Sequence, residues 1–122
     1  MTYIHYEQLK VYQLAYKLAK DIHQISLDLP KIEQFGGLAD QMRRASRGIC
    51  ANLAEGLSKN STPKEEYRFL GIAMGSCEEM RVWVSFGKDF GYWTSSQSDE
   101  WLMEYNQVSK MLFALMEKRK AS

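Results

Sequence analysis

Three arginines, Arg43, Arg44 and Arg47, crowd into one short stretch and form the strongest chemical signal in this chain. Guanidinium forks suit carboxylates and phosphates equally well. The cluster therefore fits ion pairs to Asp40, Glu55 or Glu79, or the backbone of a nucleic acid. Lys10, Lys17 and Lys20 lie upstream with Tyr12 and Tyr16 on their flank. Aromatic rings among cations suit single-stranded RNA or DNA, although the same tyrosines also suit packing on an amphipathic helix. These six cations are the candidate nucleic-acid contacts.

Other chemistry finds little support. The histidines are His5, near the N-terminus, and His23. No Glu-x-x-His pair exists for a di-iron centre in a bundle, and no His-x-x-x-His or Cys-x-x-Cys spacing for zinc. Cys50 and Cys77 lie near apolar helix positions and read as small buried residues. Cys50 has no sequence-evident base, and phosphate-cradling glycine loops are absent. Glu55 and Glu79 sit among small or apolar residues. A carboxylate pair for acid–base work is the sharper reading, but nothing else catalytic accompanies them, and a structural polar role is favoured for Glu55, with Asn52 and Ser76. The sequence thus predicts no enzyme, metal or cofactor. A metal or small-molecule site in the core is the weakest reading.

Composition agrees with an ordinary folded domain. The chain has 122 residues, 45% hydrophobic and 25% charged, and a formal net charge of +1. That predicts one domain over residues 1–122, and any pull on nucleic acid must come from a local patch. The N-terminal residues lack a basic start followed by an apolar run, so no signal peptide is expected. Residues 69–77, the longest apolar-looking segment, fall far short of the roughly 20 needed to cross a membrane. A cytoplasmic protein without membrane association is expected.

The elements that carry these residues read as helices. Val11, Leu14, Leu18, Ile22, Ile25 and Leu29 recur at spacings of three and four, predicting a helix over residues 6–29 that ends at Pro30. Gly36 and Gly37 supply a turn. A second helix is predicted over residues 38–58. At ~100° per residue it separates an apolar stripe (Met42, Ala45, Ile49, Leu53) from the arginines and from a strip of Gly48, Ala51, Asn52 and Glu55. Small residues there imply that another helix or another molecule packs closely. Thr62-Pro63-Lys64-Glu65 opens a third helix, expected to reach Phe90 with Gly91 as its stop. Residues 94–98 read as a polar loop, with Asp99 and Glu100 beginning a fourth helix whose seam is Leu102, Tyr105, Ser109, Leu112 and Met116. No strand or hairpin pattern occurs. The predicted fold is all-α, an antiparallel up-down-up-down four-helix bundle.

Helix three carries two apolar seams. Leu70, Ala73, Cys77, Met80 and Val84 make one. Ile72, Ser76, Glu79, Trp83, Phe86 and Phe90 make the other. A bundle offers each helix one core, so the second seam predicts a homo-oligomer interface through Ile72, Glu79, Trp83, Phe86 and Phe90. The alternative is a skewed helix wrapped by its neighbours.

The run QMRRASRGICANLAEG, followed by Gly75-Ser76-Cys77-Glu78-Glu79, carries a family resemblance. Leu9 with Val11-Tyr12-Gln13, Pro30 with Glu33, Phe69-Leu70, Ala73 and Met111-Leu112 extend it over nearly the whole chain. In these residues the chain resembles the four-helix bundle family of bacterial 23S rRNA intervening-sequence proteins. It is also similar to the accessory variability protein of diversity-generating retroelements. The resemblance implies an antiparallel bundle and a ring-shaped pentamer. For the retroelement relatives it implies a basic surface that binds nucleic acid and a reverse transcriptase. Arg47, Gly48 and Cys50 depart from the pattern, which more often has a small or aliphatic residue, serine and proline there. The leading expectation is a non-enzymatic homo-oligomer that binds RNA or a ribonucleoprotein through repeated arginine patches. Its rival is an oligomeric protein-interaction scaffold without nucleic-acid affinity.

Overall fold

Thr62 and Pro63 open the longest helix as their order predicts. Thr62 Oγ1 accepts from the Glu65 backbone N–H at 3.1 Å, and proline fills the first turn, where its missing N–H costs nothing. The computed structural model describes residues 5–120. Its helices are α1 (Lys10–Leu27), α2 (Leu38–Gly56), α3 (Pro63–Asp89) and α4 (Ser95–Lys120), with 3₁₀ turns at Tyr6–Gln8 and Lys31–Glu33. Residues Met1 to Ile4 of the N-terminal stretch expected to lack a signal peptide lie outside the described residues.

The helices pack in chain order, with α4 closing against α1, and no strand occurs among the described residues. This is the all-α four-helix bundle. Leu18 and Ile22 of α1, Met42, Ile49 and Leu53 of α2, the first seam of α3, and Tyr105, Val108 and Leu112 of α4 meet in one core. The core needs no staple because each helix contributes a continuous apolar stripe. At one end, the Trp93 indole lies flat over Gly87. A Cβ built on Gly87 would fall 1.9 Å from a Trp93 ring carbon, so only glycine fits. Trp93 Nε1 donates to Val84 O at 3.0 Å, and Trp101 meets the ring edge-on. At the other end of α3, Arg119 Nε lies 2.7 Å from Glu66 Oε1, an ion pair between α4 and a nearly buried carboxylate.

Element ends differ from the sequence reading where a side chain outcompetes the helix. Leu9 is extended, so the first helix begins at Lys10 and residues 6–8 form a separate turn. It ends at Leu27, two residues before the expected limit. Helix α2 ends at Gly56 instead of residue 58, because the Ser61 hydroxyl satisfies Glu55 O at 2.8 Å and the chain turns away. Helix α4 begins at Ser95, not at Asp99. Thr94 Oγ1 accepts from Gln97 N at 3.1 Å and caps the segment expected to be a loop.

Candidate nucleic-acid interface

The three arginines are drawn into different environments. Arg43 turns inward. Its guanidinium donates to Ser26 Oγ at 2.9 Å, to Gln34 Oε1 at 3.2 Å and to Gln34 O at 3.2 Å. Gln34 Nε2 in turn donates to Ser26 O and Leu29 O. Arg43 therefore closes the C-terminal end of α1, where unpaired carbonyls and the negative end of the dipole favour a cation. Arg44 is exposed and pairs with Asp40, one turn back, at 3.1 Å. That bond, with a further one from Gly36 N, holds the Asp40 carboxyl below its ordinary range. Arg47 is exposed, donates Nε to Arg43 O at 3.0 Å, and has no acidic partner among the described residues.

The lysines also separate. Lys10 lies in a groove with Leu9, Met111 and Lys118, between α1 and α4. Lys17 Nζ sits 3.4 Å from Glu104 and 3.6 Å from Asp21, and the Glu104 charge raises its pKa. Lys20 has no acidic partner among the described residues; its ammonium lies 5.2 Å from the Tyr16 ring centroid. Lys20 and Arg47 meet across a groove of about 350 Å³ between α1 and α2, whose other walls include Tyr16, His23 and Cys50. A second groove, along α1, shares Tyr16 and Lys20 with the first and continues past Tyr12 to Tyr6. Of the six predicted cations, the structure thus joins Lys20 and Arg47. His23, Tyr6 and the Cys50 floor were missed, and no local signal in the sequence places them together.

The cysteines are quiet groups. Burial pushes the Cys50 thiol up to about 11, so it stays protonated near neutrality. Cys77 is raised by burial too; its thiol donates to Tyr105 O and accepts from Ser109 Oγ, each at 3.1 Å. Among the described residues no three His, Cys, Asp or Glu side chains gather to hold a metal ion.

The structural polar residues fare unevenly. Asn52 Nδ2 donates to Gly48 O at 2.8 Å, within α2. Ser76 Oγ would lie 3.3 Å from a Cβ at Gly48, so the small residue there admits α3, as its size implied. Glu55 and Glu79 are exposed and join no ion pair among the described residues. Of the three acidic partners expected for the arginines, Asp40 pairs with Arg44, and Glu55 and Glu79 pair with none of them among the described residues.

The second seam of α3 is covered only in part within the chain: Ser76 and Trp83 are half-buried, and the other apolar members stand exposed. Ile72 is 42% exposed, Phe86 46% and Phe90 56%. Trp83, Phe86 and Phe90 contact one another in sequence and face an apolar groove closed by Gly37, Leu38 and Gln41. Trp83 Nε1 is shielded from solvent and has no acceptor among the described residues. Exposed Ile32 and Phe35, in the loop beside this face, enlarge the apolar surface and were not anticipated.

Fold and surface together define a four-helix bundle with a cationic, tyrosine-lined face on α1 and α2. The chain belongs to the 23S rRNA-intervening sequence protein family, whose sequence profile matches residues 7–114. It is similar in structure to a protein of unknown function of the S23 ribosomal protein family from Bacteroides thetaiotaomicron VPI-5482. That likeness has a TM-score of 0.77 at 20% identity and covers 87% of this chain and 97% of the other. At that identity it bears on the fold. No curated protein matches the sequence. No helix of the described residues is long and apolar enough to cross a membrane.

Proposed function

We propose that this protein is a non-enzymatic, cytoplasmic homo-oligomer that binds RNA or a ribonucleoprotein through its α1–α2 face. The observation that carries the reading is the meeting of Lys20 and Arg47 across one groove, both without acidic partners among the described residues. Two cations attract phosphate weakly, but an oligomer repeats the groove and multiplies the attraction. The description of the family, as proteins of an rRNA intervening sequence, agrees with RNA as the partner. Arg44 stands nearby with its charge partly offset by Asp40, and Arg43 is turned inward, where it holds the end of α1. The exposed apolar residues of the second α3 seam, Ile72, Phe86 and Phe90, support self-association, in a ring of five by the resemblance.

A scaffold without nucleic-acid affinity is the second reading. It is favoured by the engagement of Arg43 and Arg44 in bonds within the chain. Light scattering after size exclusion, with and without a single-stranded RNA, at low and high salt, separates the two. A multimer of the 14.2 kDa chain that gains mass with RNA at low salt and loses it steeply as salt rises supports the first. A multimer indifferent to RNA supports the second, and a monomer removes self-association from both. A reverse-transcriptase gene beside this one would extend the first reading to a retroelement accessory role with the transcriptase as partner.

A further inference from the structure

We infer that Tyr6, Tyr12 and Tyr16 form a stacking track for the bases of a single-stranded RNA whose phosphates lead to Lys20 and Arg47. The inference rests on the proposed RNA-binding reading and adds the strand type and the residues that grip the bases. Tyr6 and Tyr12 meet edge to face at 4.9 Å between ring centroids, and Tyr12 and Tyr16 stack at 5.8 Å with planes 28° apart. Such separations are those of favourable aromatic pairs. The rings hold one another in place before any ligand arrives, and a base gains a ring face by displacing what lies on it, the Lys20 ammonium 5.2 Å from the Tyr16 centroid and the His5 ring stacked at 4.7 Å on Tyr6. Tyr16, at the middle of the surface, is 49% exposed, and Tyr6 and Tyr12 are half-buried, Tyr12 resting against the core.

Charge runs along the track in one direction. Glu7 stands at the Tyr6 end, within 3.2 Å of His5 Nδ1. Past Tyr12, Lys17 is held by Glu104 and Asp21. Beyond Tyr16 come Lys20, His23 and Arg47 with no carboxylate in the groove. An aromatic row passing into a cationic pocket matches a ligand with flat apolar faces joined by anionic links. Single-stranded RNA has that chemistry. A duplex hides its base faces and offers only phosphates, so it could use the cations and not the rings.

The test is fluorescence anisotropy of labelled RNA at low salt with the full-length protein. Three ligands of equal length are compared: a single strand, its duplex, and a strand carrying abasic sites. The single strand is expected to bind about ten-fold more tightly than either of the others. Tyr16→Phe keeps a flat ring and should bind as the native chain does. Tyr16→Leu should lose about ten-fold with an unchanged dependence on salt, because no phosphate contact is removed. Circular dichroism of both variants checks the bundle, which an exposed position should leave intact. Equal binding of the abasic strand or the duplex, or equal affinity of the Phe and Leu variants, overturns the stacking track while leaving phosphate binding standing. Absence of any RNA binding at low salt overturns both the track and the reading beneath it.

Discussion

Arg43 NH1 donates to Ser26 Oγ at 2.9 Å, across 17 positions of sequence, and this bond ties the last turn of α1 to the second turn of α2. Gln34 completes the arrangement by bonding both the guanidinium and the last carbonyls of α1. Replacing Arg43 by Ala leaves Ser26 and Gln34 without their cation in a partly buried site. Loss of charged hydrogen bonds of this kind costs about 1–3 kcal/mol. Thermal unfolding of Arg43→Ala should show a clear drop in Tm. RNA affinity per folded molecule should stay near that of the native chain. A loss of affinity with unchanged stability would return Arg43 to the binding surface.

The complementary experiment concerns Lys20 and Arg47, the two cations of the groove that have no acidic partner among the described residues. Lys20→Ala and Arg47→Ala lie on exposed helix positions and should alter stability by no more than about 0.5 kcal/mol. Each should weaken RNA binding and reduce the slope of log affinity against log salt by roughly one. Lys10→Ala, in the separate groove between α1 and α4 beside Lys118, should change neither. Filter binding across a salt series reads all three variants together.

The core was legible because helix packing is periodic. Leu70, Ala73, Cys77, Met80 and Val84 repeat at three and four and are all buried, and Thr62-Pro63 marks a helix start by local hydrogen bonding alone. The start of α4 was obscured because Asp99-Glu100 carries the acidic signature of a first turn one turn beyond the actual cap, Thr94. The site was less legible. An arginine on a helix looks solvated until a distant loop folds beneath it, and Ser26 and Gln34 reach Arg43 only through the turn after Pro30. Tyr12 and Tyr16 share a helix face at i and i+4, so their pairing could be read. Tyr6 joins them from a separate 3₁₀ turn, which no helical spacing announces.

The aromatic face of α3 yields a prediction about assembly. Phe86 and Phe90 are about half exposed and contribute little to the core of the single chain. Phe86→Glu with Phe90→Glu should leave the helical content intact and lower the mass seen by light scattering. A buried charge without a partner is costly, so a contact through this face would not tolerate the pair. An unchanged mass would mean that subunits meet elsewhere.

Alkaline pH should loosen the bundle through groups held neutral inside it. Burial raises Cys50 from 9.0 to about 11, and burial also raises Cys77 and, further, Tyr105. Tyr92 is raised mainly by its 2.7 Å hydrogen bond to Glu33 Oε2. In each case the unfolded chain gives up its proton first as pH rises. Their contribution is fully present below the unfolded values and is lost as pH passes upward through the folded ones. Urea midpoints should therefore be insensitive to these groups near pH 7 and fall from about pH 9 upward. In Cys50→Ala the decline between about pH 9 and 11 should be shallower, and an identical profile would show that Cys50 does not contribute to it.

Tyr105 offers the sharpest test of the core. Its ring is fully buried, yet its hydroxyl has no hydrogen-bond partner among the described residues. A buried unsatisfied hydroxyl costs about 1–3 kcal/mol, whereas an apolar group of the same shape does not. Tyr105→Phe removes the hydroxyl and keeps the ring, so the only loss is a few packing contacts around one oxygen atom. The variant should match or exceed native stability in urea unfolding, by up to about 1 kcal/mol. Tyr105→Leu, which alters the shape of the same site, should destabilise through the space it leaves. Marked destabilisation of the Phe variant would mean that the hydroxyl is bonded in solution, and the core around Cys50 and Cys77 would then be more polar than its packing indicates.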